Sequence, residues 1–269
     1  MYQASIIILT WNTADITYKC ISTLQKYLDL KKWEIIVVDN GSTDNTQAVL
    51  SKLPIVYIKS DINLGFSKGC NLGAKNAHGK YLLFLNSDME LTDGSLDQML
   101  KHYQNNQNIG LIGPQFLNPD LTVQGSIFPP QTPINAFKEF WLGFKAYSKY
   151  FQNHLSPVWA ISGGAILISQ DLFNKINGWN EKYFFYFEDL DLCRKIRNLN
   201  YQIVYYPDTK VIHRHGASGK SLANSSDQWK RLIPSSKLFH GLFEYYLISS
   251  IIWSSQKFNQ LFKTTKSSE

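Results

Sequence analysis

Cysteine is scarce in this 269-residue chain: Cys20, Cys70 and Cys193 are far apart and odd in number. No CxxC pair occurs, which argues against a zinc site or a disulfide framework and for reduced thiols in a cytosolic setting. Long apolar runs are missing too, and none approaches the roughly 20 residues that span a bilayer. Residues 1–9 lack a basic n-region and carry too short an apolar run for a signal peptide, so none is expected. Neither GxGxxG nor a lysine-ended phosphate loop is present, which makes a dinucleotide dehydrogenase a poor reading. No recognised nucleic-acid module occurs, and nucleic acid is not an expected partner. No internal repeat and no linker separates two independent domains. Charged residues reach only 18% against 44% hydrophobic ones, so a large core is expected rather than disorder.

The net charge of +6 is unevenly placed. From Tyr205 onward nine basic residues face four acids, so five of the six excess charges lie there. Such a tail suits nucleic acid, an anionic lipid surface or a pyrophosphate, or it is a solvated face.

Three apolar runs each end on polar residues. Ser5-Ile6-Ile7-Ile8-Leu9 leads into Thr10-Trp11-Asn12, Glu34 to Val38 into Asp39-Asn40-Gly41-Ser42, and Tyr81 to Leu85 into Asn86-Ser87-Asp88. Their length and continuity predict buried strands, and in open α/β sheets ligands bind at the carboxyl rim. Helical spacing predicts helices over residues 14–28, 43–53 with Ser42 as N-cap, 66–77 stopped by Gly79, and 95–103. With a short strand at 55–58, this alternation implies a mainly parallel sheet. The second half is less regular. It predicts a strand at 109–117 broken by Gly113-Pro114, a proline-rich loop at 128–133, and a flap or acceptor wall at 137–151. A strand at 158–169 interrupted by Gly163-Gly164, a helix at 188–199 and a strand at 201–206 follow. Over residues 234–262, Leu242, Phe243, Tyr246, Leu247, Ile251, Ile252 and Trp253 form an apolar stripe that lies on a membrane or packs on the domain.

Several residues are suited to chemistry. Asp39 can accept from a ribose or a base edge, or cap a helix. Asn63-Leu64-Gly65-Phe66, with Gly69, Asn71 and Gly73 behind it, is a turn opening into a helix. Asp88 is a lone carboxylate, with Asn86 where a second could stand; Mg2+ or Mn2+ uses one or two carboxylates plus substrate phosphates. His213 or His215 could complete that shell. Five aromatics, residues 183–187, lead into Glu188, Asp189 and Asp191. On a helix Glu188 and Asp191 would share a face and Asp189 would point elsewhere. Acids also suit the first turn of a helix. Aromatic surroundings would raise a carboxylate's pKa toward that of a general base.

In this order, SIIILTWN, IIVVDNGSTD, NLGFSKGCNLG, YLLFLNSD, SGGAILI, GWNEKYFFYFEDLDLCRK and VIHRHGASG resemble the family-2 glycosyltransferases, closest to the rhamnosyltransferase-like branch. The resemblance covers roughly residues 4–220. It implies an α/β GT-A fold: a Rossmann-like, mainly parallel central sheet flanked by helices, an acceptor-side subregion and a C-terminal helical extension. The corresponding division is 1–220 for the transferase domain (1–105 nucleotide-sugar half, 106–220 acceptor and catalytic half) and 221–269 for a basic amphipathic extension.

By residue, the resemblance makes Asp189 the catalytic base and Asp88 the metal ligand with His213. Thr10, Asn12, Asp39, Asn63, Gly65, Phe66, Asn71, Asn86 and Ser87 fall on the nucleotide side. Gly163, Gly164, Trp179, Glu188 and Asp191 fall on the sugar and acceptor side. The implied reaction is inverting, Mg2+- or Mn2+-dependent transfer from a nucleotide-diphosphate sugar to a cell-surface polysaccharide or lipid-linked glycan. The branch favours dTDP-L-rhamnose, then UDP-hexoses or UDP-N-acetylhexosamines, and family habit suggests a cytoplasmic enzyme in peripheral contact with anionic membrane. Asn86 departs from the usual Asp-X-Asp pattern and keeps open a non-catalytic nucleotide-sugar or glycan binder. The Glu188-Asp189 pair argues against that, since a binder has no use for a desolvated base.

Overall fold

The computed structural model describes residues 2–214 and 228–266; His215 and the expected domain boundary at 220/221 lie outside them. The first half follows the predicted alternation: β1 (Ala4–Thr10), α1 (Ala14–Tyr27), β2 (Trp33–Asp39), α2 (Thr46–Leu50), β3 (Val56–Lys59), α3 (Phe66–Lys75) and β4 (Tyr81–Asn86). β1 lies parallel between β2 and β4, with Thr10 opposite Asp39 and Leu9 opposite Asn86. The three polar strand ends therefore share one rim.

The rest of the chain runs β5 (Met89–Leu91), α4 (Leu96–Gln104), β6 (Ile109–Leu117), β7 (Val123–Gln124), β8 (Ile127–Phe128), α5 (Pro133–Leu142), β9 (Ser156–Val158), β10 (Ala160–Ile161), β11 (Ala165–Ser169), α6 (Gln170–Lys175), α7 (Glu188–Asn198), β12 (Gln202–His213) and α8 (Gln228–Lys266). The main sheet has the order β3-β2-β1-β4-β11-β6-β12-β5, with β7 on β6 and β9 on β12. Antiparallel β11 pairs Ala165 with Leu85, and the Asn86 N–H donates to the Gly164 carbonyl at 2.8 Å. This carries Gly163 and Gly164 to the rim. β12 runs antiparallel to β5, with His213 opposite Met89, which sets the histidine beside Asp88.

Alternation along the buried strands feeds two cores. Ile6 and Ile8 pack with Leu24, Trp33 and Met99 on one face, and Ile7 packs with Phe84, Trp179 and Cys193 on the other.

Four segments differ from the sequence reading. The second helix shrinks to the five residues of α2. Asn12 Oδ1 accepts from the Thr43 and Asp44 N–H groups, Asp44 Oδ1 from Thr46 N–H, and Ser42 Oγ from Asn12 N–H, so turn bonds consume the predicted first turn and Ser42 caps nothing. β6 is unbroken. Its Gly113 is a packing requirement, because a Cβ there would stand 2.9 Å from the Ala165 carbonyl oxygen as well as against Ile161 Cδ1. Pro114 is accommodated at a register shift, where β12 slips between Tyr206 and Lys210. The proline-rich loop and the flap enclose α5, which has Pro133 in its first turn and Thr132 as cap. The final strand extends through Pro207 and Asp208 to His213.

α8 consists of two helices joined at Gly241, where φ is 75°. Its second half packs on α5: Trp141 Nε1 donates to the Ile251 carbonyl at 3.2 Å, and Ser255 Oγ to that of Phe140. Among the described residues no helix is long and apolar enough to cross a membrane.

Candidate active site

A cavity of about 990 Å³ opens at the carboxyl rim. Thr10, Trp11, Asn40, Asn63, Gly65 and Phe66 form one wall; Asn86, Ser87, Asp88 and His213 another. Gly163, Gly164, Glu188 and Asp189 close the third side, and Ile248, Ile252 and Trp253 of α8 form a roof.

On the first wall, Asn63 Oδ1 accepts from Asn40 Nδ2 and the Gly65 N–H, both at 2.9 Å, and Asn40 Oδ1 accepts from the Leu64 N–H at 2.8 Å. Gly65 adopts φ 79°, and a Cβ there would come within 2.7 Å of the Phe184 carbonyl oxygen. The Phe66 N–H donates to that carbonyl at 2.8 Å, fastening this turn to the aromatic loop that precedes α7.

Asp39 is fully buried below the cavity and does not line it. It accepts from the Ser42 N–H at 2.8 Å and from the Tyr57 hydroxyl. Burial, reinforced by Asp39, pushes the Tyr57 phenol well above its ordinary pKa. Asn12, Asn71 and Trp179 also stand outside the cavity lining. Asn12 holds the turn after β2, as described. Asn71 exchanges hydrogen bonds with the Trp179 backbone at 2.9 and 3.0 Å. The Trp179 ring is buried edge-on against Phe66 and Phe84, with centroids 5.3 and 5.1 Å away.

Asp88 is nearly inaccessible, and its Oδ1 lies 3.6 Å from His213 Nε2. His213 Nδ1 meets Gln124 Oε1 at 2.6 Å. An oxygen and a nitrogen this close can touch one divalent cation. Among the described residues no group of three or more His, Cys, Asp or Glu side chains could hold a metal alone. The pair therefore fits a cation only when ligand oxygens complete the shell.

The acids are arranged differently from the helical-wheel reading. Glu188 and Asp189 line the cavity, while Asp191 turns away, 2.5 Å from Arg194 Nη2 and 3.4 Å from Asn180 Nδ2. The cavity lies beyond the N-terminus of α7 rather than beside it, so adjacent residues of the first turn reach it and the residue at i+3 does not. Tyr186 and Phe187 create this approach, with consecutive φ values of 75° and 67°. Left-handed backbone at bulky residues costs about 1–3 kcal/mol each, and such strain concentrates at functional sites.

Asp189 Oδ2 accepts from the Gly163 N–H at 3.0 Å and Oδ1 from the Leu190 N–H at 2.8 Å. The pKa rise expected among the aromatics falls on Glu188, pushed up to about 8 by burial and then by the Asp189 charge. Its Oε2 is buried without a hydrogen-bond partner.

Lys149 was not singled out from sequence. Its ammonium group is drawn into the cavity, 3.3 Å from Ser162 Oγ and 4.5 Å from the centre of the Phe128 ring, although the residue as a whole stays exposed. Desolvation lowers its pKa against the opposing pull of Asp189 and Glu188. A lone lysine in an aromatic stretch gave little signal in the sequence. Gln124, behind His213, gave none.

The sequence profile of glycosyl transferase family 2 matches residues 5–176. A second profile, the N-terminal domain of galactosyltransferase, matches residues 145–215, which include Asp189 and His213. The chain is 27% identical over 210 residues to an N-acetylglucosaminyl-diphospho-decaprenol L-rhamnosyltransferase of Mycobacterium tuberculosis, covering 68% of this chain and 67% of that protein. It is 26% identical over 211 residues to a UDP-Glc:alpha-D-GlcNAc-diphosphoundecaprenol beta-1,3-glucosyltransferase of Escherichia coli, covering 77% of each. The crystal structure of GalNAc-T7 with UDP, GalNAc and Mn2+ superposes with a TM-score of 0.65 at 15% identity, over 91% of this chain and 49% of that one. This chain thus spans about half the length of that GT-A enzyme and shares its fold. With the first profile spanning well over half of its residues, the chain belongs to glycosyltransferase family 2.

Proposed function

We propose that the protein is an inverting transferase that moves a sugar from a nucleoside diphosphate to a hydroxyl of a lipid-linked or polymeric cell-surface glycan. The favoured donor is dTDP-L-rhamnose, and UDP-sugars come next. The observation that carries this reading is the meeting of Asp88 and Asp189, remote in sequence, on one cavity large enough for a nucleotide sugar. The donor preference is supported by the mycobacterial rhamnosyltransferase, and the lipid-linked acceptor by both curated relatives.

In this reading residues 1–105 hold the donor and residues 106–220 the acceptor. The turn around Asn63 cradles the nucleotide, with Asp39 acting beneath it by fixing the loop that presents Asn40. Asp189, held at both oxygens by backbone N–H groups, takes the proton from the acceptor hydroxyl. That oxygen bonds to the anomeric carbon as the carbon–phosphate-oxygen bond breaks, and the nucleoside diphosphate departs with the electron pair. Asp88 and His213 would hold Mg2+ or Mn2+, which supplies charge neutralisation to the departing diphosphate. Lys149 adds positive charge on the acceptor side. The reaction would take place at the cytoplasmic face of a membrane.

Thermal-shift measurements with dTDP- and UDP-sugars, with and without Mg2+ or Mn2+, test the proposal. A shift specific to one donor and dependent on the metal is expected; no shift with any nucleotide would refute it.

A further inference from the structure

Two elements carry apolar surface outside the cavity. On α5, Ile134, Phe137 and Trp141 follow one another along a single face, and the first two are 68% and 45% exposed. Phe137 stacks on Trp141 at 6.3 Å, and Trp141 meets Phe258 of α8 at 5.5 Å, so the strip crosses from one helix to the other. Exposed Leu261 lies one turn beyond Phe258. Nearer the bend of α8, Leu242, Phe243 and Tyr246 are exposed as well, Phe243 at 84%. Single exposed apolar residues are ordinary, but a strip across two packed helices is not.

Charge follows the same elements. Residues 133–150 and 228–266 together hold nine lysines and arginines against two acids, a net of +7 in a chain of +6. The remainder of the protein is therefore −1. Both acids are engaged internally: Glu139 accepts from the N–H groups of Ala146, Tyr147 and Ser148, and Glu244 pairs with His240 at 3.5 Å.

We infer that α5 and α8 form a two-helix platform that rests on an anionic lipid bilayer. Its aromatic strip enters the interface, and Lys138, Lys145 and Lys257 meet the headgroups. A second copy is a poor occupant, because two such segments, each with a net +7, would repel each other. This deepens the proposed lipid-linked acceptor: α8 also roofs the cavity, so an acceptor arriving from the bilayer would enter beside the platform.

Co-sedimentation of the full chain with phosphatidylcholine vesicles, with and without phosphatidylglycerol, tests this. Salt-sensitive binding to the anionic vesicles is expected. The double variant Ile134→Asp/Phe137→Asp should weaken it at least tenfold, as should Lys138→Glu/Lys145→Glu, with nucleotide affinity retained in both. Retained nucleotide affinity also keeps the transferase reading separate from this one. The inference is overturned if the unmodified chain stays in the supernatant or the variants bind equally well. A dimer that Ile134→Asp/Phe137→Asp dissociates would overturn it too, assigning the strip to a second copy.

Behind His213 a different observation stands on its own. The Thr122 hydroxyl donates to Asp120 at 2.6 Å, so its oxygen is left to accept from Asn118 Nδ2 at 2.9 Å. Asn118 Oδ1 then accepts from Gln124 Nε2 at 2.9 Å, which turns Gln124 Oε1 toward His213 Nδ1. The imidazole must donate there, so in the neutral ring that binds a metal Nε2 is the lone-pair nitrogen facing Asp88. We propose Gln124 as a positioning residue that holds His213 in its metal-accepting tautomer, a role that rests on the proposed metal pair. In Mn2+ titrations with UDP present, followed by electron paramagnetic resonance, Gln124→Leu should weaken Mn2+ binding roughly 10- to 100-fold. Gln124→Glu, which still accepts from Nδ1, should restore it. Gln124→Leu binding like the unmodified protein while His213→Ala loses the metal would overturn the positioning role. Normal Mn2+ binding by His213→Ala would overturn the metal pair with it.

Discussion

At the residue scale, the site rests on two neighbouring acids with different surroundings. Asp189 is tied to two backbone N–H groups, and Asp189→Asn should keep only one of those contacts, because the amide nitrogen cannot accept, while losing the proposed proton acceptor. Transfer should fall by about 10²–10⁴ with nucleotide affinity intact. Rate measurements alongside calorimetry check this, and equal loss of both would show a binding role instead. Glu188 is raised from an ordinary carboxylate value to about 8, so the folded state holds its proton more tightly than the unfolded chain. The resulting stabilisation is complete below about pH 4.5 and is lost as pH rises toward about 8. Thermal melts should show Glu188→Gln gaining on the unmodified protein across that window; parallel curves would contradict the assignment. That Asp88 and Asp189 line the cavity was legible because each stands beside an unmistakable apolar or aromatic run. That Glu188 shares the cavity with Asp189 rather than with Asp191 was not legible, since it depends on the left-handed turn at Tyr186 and Phe187.

At the element scale, local signals succeeded where a strand or helix is governed by its own pattern, as in β1, β2, β4, α1 and α7. They failed where a contact from elsewhere decides. Asn12 shortens α2 from across the rim, Ala165 and Ile161 explain Gly113, and the pairing with β5 and β6 extends β12 past a proline. The turn at Gly65 belongs to this class as well. Gly65→Ala meets both a left-handed φ and the Phe184 backbone, and should cost about 1–3 kcal/mol in chemical denaturation. A larger loss of donor affinity than of acceptor affinity would trace the damage to the nucleotide wall.

At the scale of the whole molecule, the parallel half of the sheet was readable from strand and helix alternation. The antiparallel insertion of β11 between β4 and β6 was not, because nothing local specifies which neighbour a short strand will find. That insertion brings Gly163 to Asp189. Phe84, on β4, links the sheet to the site's support through Trp179 and Phe173. Phe84→Ala should destabilise the fold by about 3–5 kcal/mol, measurable in equilibrium unfolding. A change below about 1 kcal/mol would mean that the second core repacks around the gap.

The bend at Gly241 has a mechanical consequence. Before it, Ser235 Oγ holds the Phe185 carbonyl and Arg194 holds that of Phe239, gripping the loop and helix that carry the acids. After it, the same helix leans on α5 and spans the mouth of the cleft. The last helix is thus two levers sharing one elbow, and a load on the outer arm can tilt the lid while the inner arm keeps its grip on the scaffold of Glu188 and Asp189.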